Sequence, residues 1–180
     1  MKFYFLTFLI VSFSYGKSVE EIYGDRIELL GIPFKDPLVL CQIFIAFFLM
    51  IAFFQSAFDK IINRKDNVEF LKEHFSLTIF NGFTSPLLSI ITILELVGSL
   101  SLGYGIYFAF VEKTTLWIFY GFVVLAITLM FLFLGQRIAK DYVGASDLVP
   151  YFTLIMLGIM SMYWLFYFTV FLMITNNLIS

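Results

Sequence analysis

Residues 38–58 read LVLCQIFIAFFLMIAFFQSAF, twenty-one positions without a formal charge. In water such a run would need protein on every side of it; in a bilayer it needs only length. A helix rises 1.5 Å per residue and the hydrocarbon layer is ~30 Å thick, so ~20 apolar residues cross it. Backbone N–H and C=O groups find no water there and must bond within the segment, which makes the run a helix. Pro37 stands immediately before it, in the first-turn position where proline is favoured.

Three further runs of the same kind follow along the chain. Residues 87–110 come after Pro86 and carry one charge, Glu95, whereas residues 116–134 and 148–174 carry none. Asp147 is expected to cap the last of these and Pro150 to sit in its first turn. The charge in the second run does not prevent insertion. It costs roughly 2.5–3.5 kcal/mol at mid-depth, while the Leu, Ile, Val and Phe residues of that run return roughly 4–8 kcal/mol together. Four membrane-spanning helices are therefore expected.

The rest of the composition agrees. Of 180 residues, 61% are hydrophobic and 13% charged, and mean hydropathy is +0.97. A soluble domain has about 45–50% apolar and ~25% charged residues, so a soluble enzyme is excluded. With a net charge of −2 and its eleven Lys and Arg scattered, the chain has no basic stripe for nucleic acid. Cys41 and His74 are single. They allow no intrachain disulfide, no Cys-based zinc site and no haem held by two histidines, so no metal site or intrinsic cofactor is expected.

Residues 1–16, MKFYFLTFLIVSFSYG, fit a secretory signal peptide, with Lys2 as a minimal n-region and Ser14-Tyr15-Gly16 as a small-x-small cleavage pattern. The other reading is a retained anchor, which would add a fifth helix. Residues 17–36, with Glu20, Glu21, Asp25 and Glu28, read as a polar extracytoplasmic arm or a short amphipathic helix. Residues 37–180 form the membrane domain.

Short connections then order the spans. Residues 111–114 link the second and third so tightly that they must be antiparallel neighbours. Residues 59–85 alternate Ile61, Ile62, Val68, Leu71 and Phe75 with Arg64, Lys65, Glu69 and Lys72, an amphipathic pattern suited to a membrane surface. Gly144-Ala145 reads as the turn between the last two spans. The first and third loops hold six Lys or Arg, and the opposite side of the mature chain holds four. That bias places both termini on the side away from the cytoplasm. Tyr104, Tyr107, Trp117, Tyr120, Tyr163, Trp164 and Tyr167 fall toward the same outer interface.

Glu95 is the most informative residue. A carboxyl at mid-depth is expected to face the bundle interior and to be neutralised by a proton or a paired cation. Glu95, Ser99 and Gly103 recur at i, i+4 and i+8 with Gly98 beside them, a stripe that lets another helix approach. Two readings stand: a proton-accepting or ligand-binding group in a cavity, or a buried anchor that holds the helices in register. At the inner ends of the first and third spans lie Gln55, Ser56, Asp59 and Lys60, then Gln136, Arg137, Lys140 and Asp141. Gln55 is expected near the depth of Glu95, with long Lys or Arg side chains reaching inward to it. Together with Ser99 these would line a polar cavity for a lipid headgroup or a quinone ring; the plainer reading is positive-inside anchoring. His74, beside Glu73 in the linker, reads as an interfacial surface residue.

The runs FDKIINRKDNVEFL, PLLSIITILELVGSLSLGYGI and GQRIAKDYVGASDLVPYFTLIMLGIM resemble the DoxX family of small four-helix membrane proteins. The resemblance covers residues 38–163. Its closest features are Phe58-Asp59-Lys60 and Glu95-Leu96-Val97-Gly98, and only Asp59, Lys60, Glu95 and Gly98 carry over residue by residue. It implies an antiparallel four-helix bundle in the bacterial cytoplasmic membrane; joined to the pattern of residues 59–85, the expected fold is all-α and integral to the membrane, with an interfacial amphipathic helix between the first two spans. It also implies a subunit of a redox or quinone-linked membrane complex, in contact with membrane lipids and protein partners. The chain itself offers no redox centre or catalytic constellation. A non-catalytic scaffold subunit is the alternative; a small transporter is disfavoured by the lack of an inverted repeat or a second intramembrane charge.

Overall fold

The computed structural model describes the backbone of residues 27–29, 32–34, 37–112 and 114–179, and the side chains of residues 38–112 and 114–163. The expected signal peptide, residues 1–16, lies outside the described residues, as do Trp164 and Tyr167 of the outer aromatic group as far as their side chains are concerned. The chain divides into two compact units, Met1–Leu40 and Cys41–Ser180.

Within the first unit, β1 (Ile27–Leu29) and β2 (Ile32–Phe34) form an antiparallel hairpin with Leu29 opposite Ile32. This stretch was expected to be an arm or a short amphipathic helix. Two residues, Leu30-Gly31, join the strands, and a two-residue connection containing glycine favours a hairpin over a helix.

Apart from the hairpin, the described chain is helical. Its helices are α1 (Pro37–Ile62), α2 (Arg64–His74), α3 (Thr84–Val111), α4 (Leu116–Ile138) and α5 (Tyr142–Ile179). Four of them hold stretches long and apolar enough to cross a membrane: Leu38–Ile62, Thr84–Val111, Leu116–Ile138 and Tyr142–Tyr163. The surface of these stretches is apolar where a water-soluble bundle would be charged, with Phe44, Phe47, Phe48, Ile93, Leu100 and Met130 all exposed. A chain so built is a multi-pass membrane protein in contact with lipid.

Buried positions repeat at steps of three and four residues. On α1 they include Gln42, Ala46, Leu49 and Phe53, and the same spacing leads on to Ser56 and Lys60; on α3 they include Leu88, Ile91, Glu95, Gly98, Leu102 and Gly105. This is the stripe of a helix that meets a neighbour along its whole length. The tightest seam lies between α3 and α4, where Gly98 faces Leu125, Leu102 faces Gly121 and Gly105 faces Ile118. Residue numbers rise along one helix as they fall along the other. At Gly105 an added Cβ would stand 2.5 Å from the Ile118 backbone nitrogen, so only glycine fits. Of the expected stripe of Glu95, Ser99 and Gly103, the two ends face α1: Met50 Sδ covers Gly103, and Ser56 and Lys60 meet Glu95. Phe53 of α1 meets Tyr151 of α5 edge-on with ring centroids 6.2 Å apart. At the other end of the seam Trp117 stands edge-on to Tyr104, 5.1 Å between centroids.

The start of α5 corrects two expectations. Asp147 does not cap it, and Gly144-Ala145 is not a turn, because all three lie inside a helix that begins at Tyr142. Asp141 is the cap: its Oδ1 accepts the Gly144 N–H at 2.9 Å. Pro150 accordingly stands in the helix interior, beyond the first turn. The true turn is Ala139-Lys140, where Asp141 N–H reaches the Gln136 carbonyl and Lys140 N–H the Arg137 carbonyl. Those two bonds close α4 with a left-handed residue, and Lys140, with φ of 62°, fills the place usually taken by glycine.

Between α1 and α3, the short α2 buries none of its residues. Arg64 Nη2 donates to Ser89 Oγ at 2.6 Å, and Phe75, just past the end of α2, is buried.

Candidate functional site

α1 does not stop where the apolar run ends. It continues through Asp59 and Lys60 to Ile62, which places Lys60 one turn beyond Ser56 on the same face. Glu95 lies eleven residues into α3, about 16 Å from its start. The Lys60 side chain runs inward along its helix rather than outward, and the two charges meet. Nζ stands 3.0 Å from Oε2 and 3.1 Å from Oε1 of Glu95. Ser56 Oγ donates to Oε1 at 3.3 Å and accepts a hydrogen bond from Nζ. The three side chains form a closed ring of charge-assisted hydrogen bonds linking α1 to α3.

The two charged partners differ in access. The Glu95 side chain is 2% exposed and that of Lys60 19%. Lys60 borders two cavities. One, of about 310 Å³, has Ser56, Lys60 and Glu95 on its polar side and Phe53, Leu129, Leu148 and Tyr151 among its walls. The other, of about 200 Å³, lies under α2 and adds Asn67, His74 and Gln136 to the polar lining, against Phe75 and Leu88. The carboxylate is thus the buried counter-ion and the ammonium is the group a visitor would touch. With one positive and one negative charge, the ring is neutral as a whole. A neutral hydrogen-bond acceptor can join it without leaving an unpaired charge in the bundle, whereas an anion would bring one.

The other expected site residues do not join the ring, although Gln136 shares the smaller cavity with Lys60. Gln55 is exposed, turned about 100° around the helix from Ser56, and does not approach Glu95. Asp59 is exposed and accepts a hydrogen bond from Asn63 Nδ2 at 2.7 Å. Ser99 is buried one turn from Glu95, but its hydroxyl bonds the Leu96 carbonyl of its own helix. Gln136 and Arg137 are neighbours in sequence that part in space. Gln136 Oε1 lies 3.0 Å from His74 Nε2, and the Arg137 guanidinium lies 4.7 Å from the centre of the Tyr142 ring. The single polar cavity expected at the inner face is therefore several separate places. His74 differs as well: it was expected at the surface but is half-buried, stacked on Phe70 and 3.9 Å from Asp141 Oδ2.

Ser56 stood in the expected cluster beside Gln55 without being told apart from it, and Gln42 escaped the sequence reading altogether. Ser56 belongs with Lys60 because the four-residue step puts both on the buried face of α1; the buried spacing Gln42, Ala46, Leu49, Phe53 leads to Ser56 and Lys60, not to Gln55 and Asp59. Gln42 is fully buried, and neither side-chain polar atom has a hydrogen-bond partner among the described residues. Among those residues there is also no group of three His, Cys, Asp or Glu side chains able to hold a metal ion.

The chain matches no known family model, no curated protein and no solved structure. The site therefore has to be read from its own chemistry.

Proposed function

We propose that this chain is a small DoxX-like membrane subunit whose Ser56–Lys60–Glu95 ring receives the polar head of a neutral, apolar-bodied ligand of the quinone type. The bundle is antiparallel, sits in the bacterial cytoplasmic membrane with its termini on the periplasmic side, and keeps α2 along the cytoplasmic interface. One observation carries the ligand reading: the partly accessible member of the buried ion pair is the ammonium, and it borders a cavity whose other walls are mostly apolar. A quinone carbonyl is a neutral acceptor, so it can take an N–H of Lys60 while Glu95 keeps the charge balanced. Phe53, Leu148 and Tyr151 then cover the ring. Electrons would come from a redox partner in the same complex; this chain contributes binding, orientation and a proton donor.

A quinone titration of purified protein, read by tyrosine and tryptophan fluorescence, tests the reading. A hydrogen bond to a charged group is worth about 1.5–3 kcal/mol, so Lys60→Met should weaken binding roughly 10- to 100-fold. Unchanged binding in a folded Lys60→Met protein removes the proposal.

A second reading has its own support. Both carboxylate oxygens already have partners within the bundle, as expected of an anchor that fixes α1 against α3 in a non-catalytic scaffold subunit. In that case Glu95→Gln lowers stability or complex yield, and quinone does not bind even the unaltered protein. Mass spectrometry of the natively purified complex would show which lipids, quinones or proteins accompany it.

A further inference from the structure

A larger hollow of about 610 Å³ runs along the outside of α4 and α5, lined by Ile127, Met130, Phe131, Leu134 and Val149 with Arg137 at one end. Leu129 and Leu148 line both this groove and the smaller cavity of the ion pair, and so stand between them. From Ile127 to Arg137 the groove covers ten residues of α4, about 15 Å. That is half of a ~30 Å hydrocarbon layer, the depth of one leaflet.

Arg137 is the groove's single charge. Among the described residues no carboxylate lies within ion-pair distance of it, since the ion pairs there are Lys60–Glu95 and His74–Asp141. Its partner is a ring face: the guanidinium lies over Tyr142, which leaves its N–H edge open. The nearest acidic side chain in sequence, Asp141, is already engaged in capping α5 and facing His74. An apolar channel one leaflet deep that ends in a guanidinium with no carboxylate partner among the described residues complements a single phospholipid in charge and shape. Its acyl chain would fill the channel and its phosphate would meet a bidentate donor.

We propose that the α4–α5 groove is a binding site for one anionic phospholipid, held by Arg137 at the phosphate and by the Ile127–Leu134 face along the acyl chain. The site is separate from the Lys60–Glu95 ring and does not depend on what that ring binds.

The test uses the full chain reconstituted in phosphatidylcholine vesicles carrying spin-labelled phosphatidylglycerol or spin-labelled phosphatidylcholine. The unaltered protein is expected to immobilise the anionic label in preference to the neutral one. Arg137→Gln should cut that preference roughly fivefold, the worth of one basic side chain near the membrane surface. Lys140→Gln, which removes an exposed neighbouring charge outside the groove, should leave it nearly unchanged. Val149→Trp, which fills the groove with the charge intact, should abolish it. Three results would overturn the proposal: no preference in the unaltered protein, equal losses in Arg137→Gln and Lys140→Gln (a general basic surface), or displacement of the label by glycerol phosphate, which has no acyl chain.

Discussion

Replacing Lys60 with methionine takes away the only cation, among the described residues, within reach of a carboxylate whose side chain is 2% exposed. What remains beside Glu95 is the Ser56 hydroxyl at 3.3 Å. Breaking a buried ion pair by removing one partner costs about 3–5 kcal/mol, because the charge left behind has lost its compensation. The reverse substitution is milder. Glu95→Gln keeps an amide able to bond Ser56, and the released ammonium is two residues from the end of α1 on a flexible stem. It can turn outward to the interface, so the loss is close to one charge-assisted hydrogen bond, about 1.5–3 kcal/mol. The double variant leaves no charge to compensate. It should therefore be more stable than Lys60→Met alone, an inversion that no sum of independent effects produces. Equilibrium unfolding in mixed detergent micelles, followed by far-ultraviolet circular dichroism, measures all three. The reasoning fails if the two single variants cost the same, or if the double variant is the least stable.

Other substitutions test the packing. Gly105→Ala drives a methyl group into the Ile118 backbone, which cannot move aside as a side chain would, and should cost about 1–3 kcal/mol in the same unfolding assay. Lys140→Gly relieves a left-handed residue of about 1–2 kcal/mol of strain and gives back about 0.5–1 kcal/mol as backbone entropy, so the unfolding free energy should rise by about 0.5–1 kcal/mol. Gln42→Leu replaces a buried amide that has no partner among the described residues; it should stabilise the bundle by about 1–3 kcal/mol, whereas a loss would reveal a partner for that amide. Asp141→Ala removes the cap on Gly144 N–H and should cost about 1 kcal/mol, with faster amide exchange confined to the first turn of α5.

The four spans were legible because length and the absence of charge are enough to define a membrane helix. Their ends were not, and the reasons are local. Asp147 and Pro150 imitate the start of a helix, yet Asp141 caps α5. The loop that would reveal this has lysine, not glycine, at its left-handed position, and the nearest glycine, Gly144, lies inside the helix. That Glu95 should be enclosed followed from the cost of a charge in lipid. That Lys60 would turn inward to meet it depended on α1 continuing past Phe58, which an apolar run ending in Asp59-Lys60 does not announce. Gln55 and Ser56 are adjacent and both polar, and only the buried face of α1, decided by its neighbours, tells them apart. The same rotation separates Gln136, which meets His74, from Arg137, which stacks on Tyr142. Periodicity shows that a helix has faces, and packing decides which face is inside.

Everything proposed for the ring requires the ammonium of Lys60 and the carboxylate of Glu95 to touch in the bilayer. Solid-state NMR on vesicles, with ¹⁵N in lysine and ¹³C in the glutamate carboxyl, reads that contact as dipolar dephasing. Strong dephasing in the unaltered protein that disappears in Lys60→Met is the expected result, as the 3.0 Å contact requires. No dephasing in a folded, unaltered protein would separate the two charges and contradict the account.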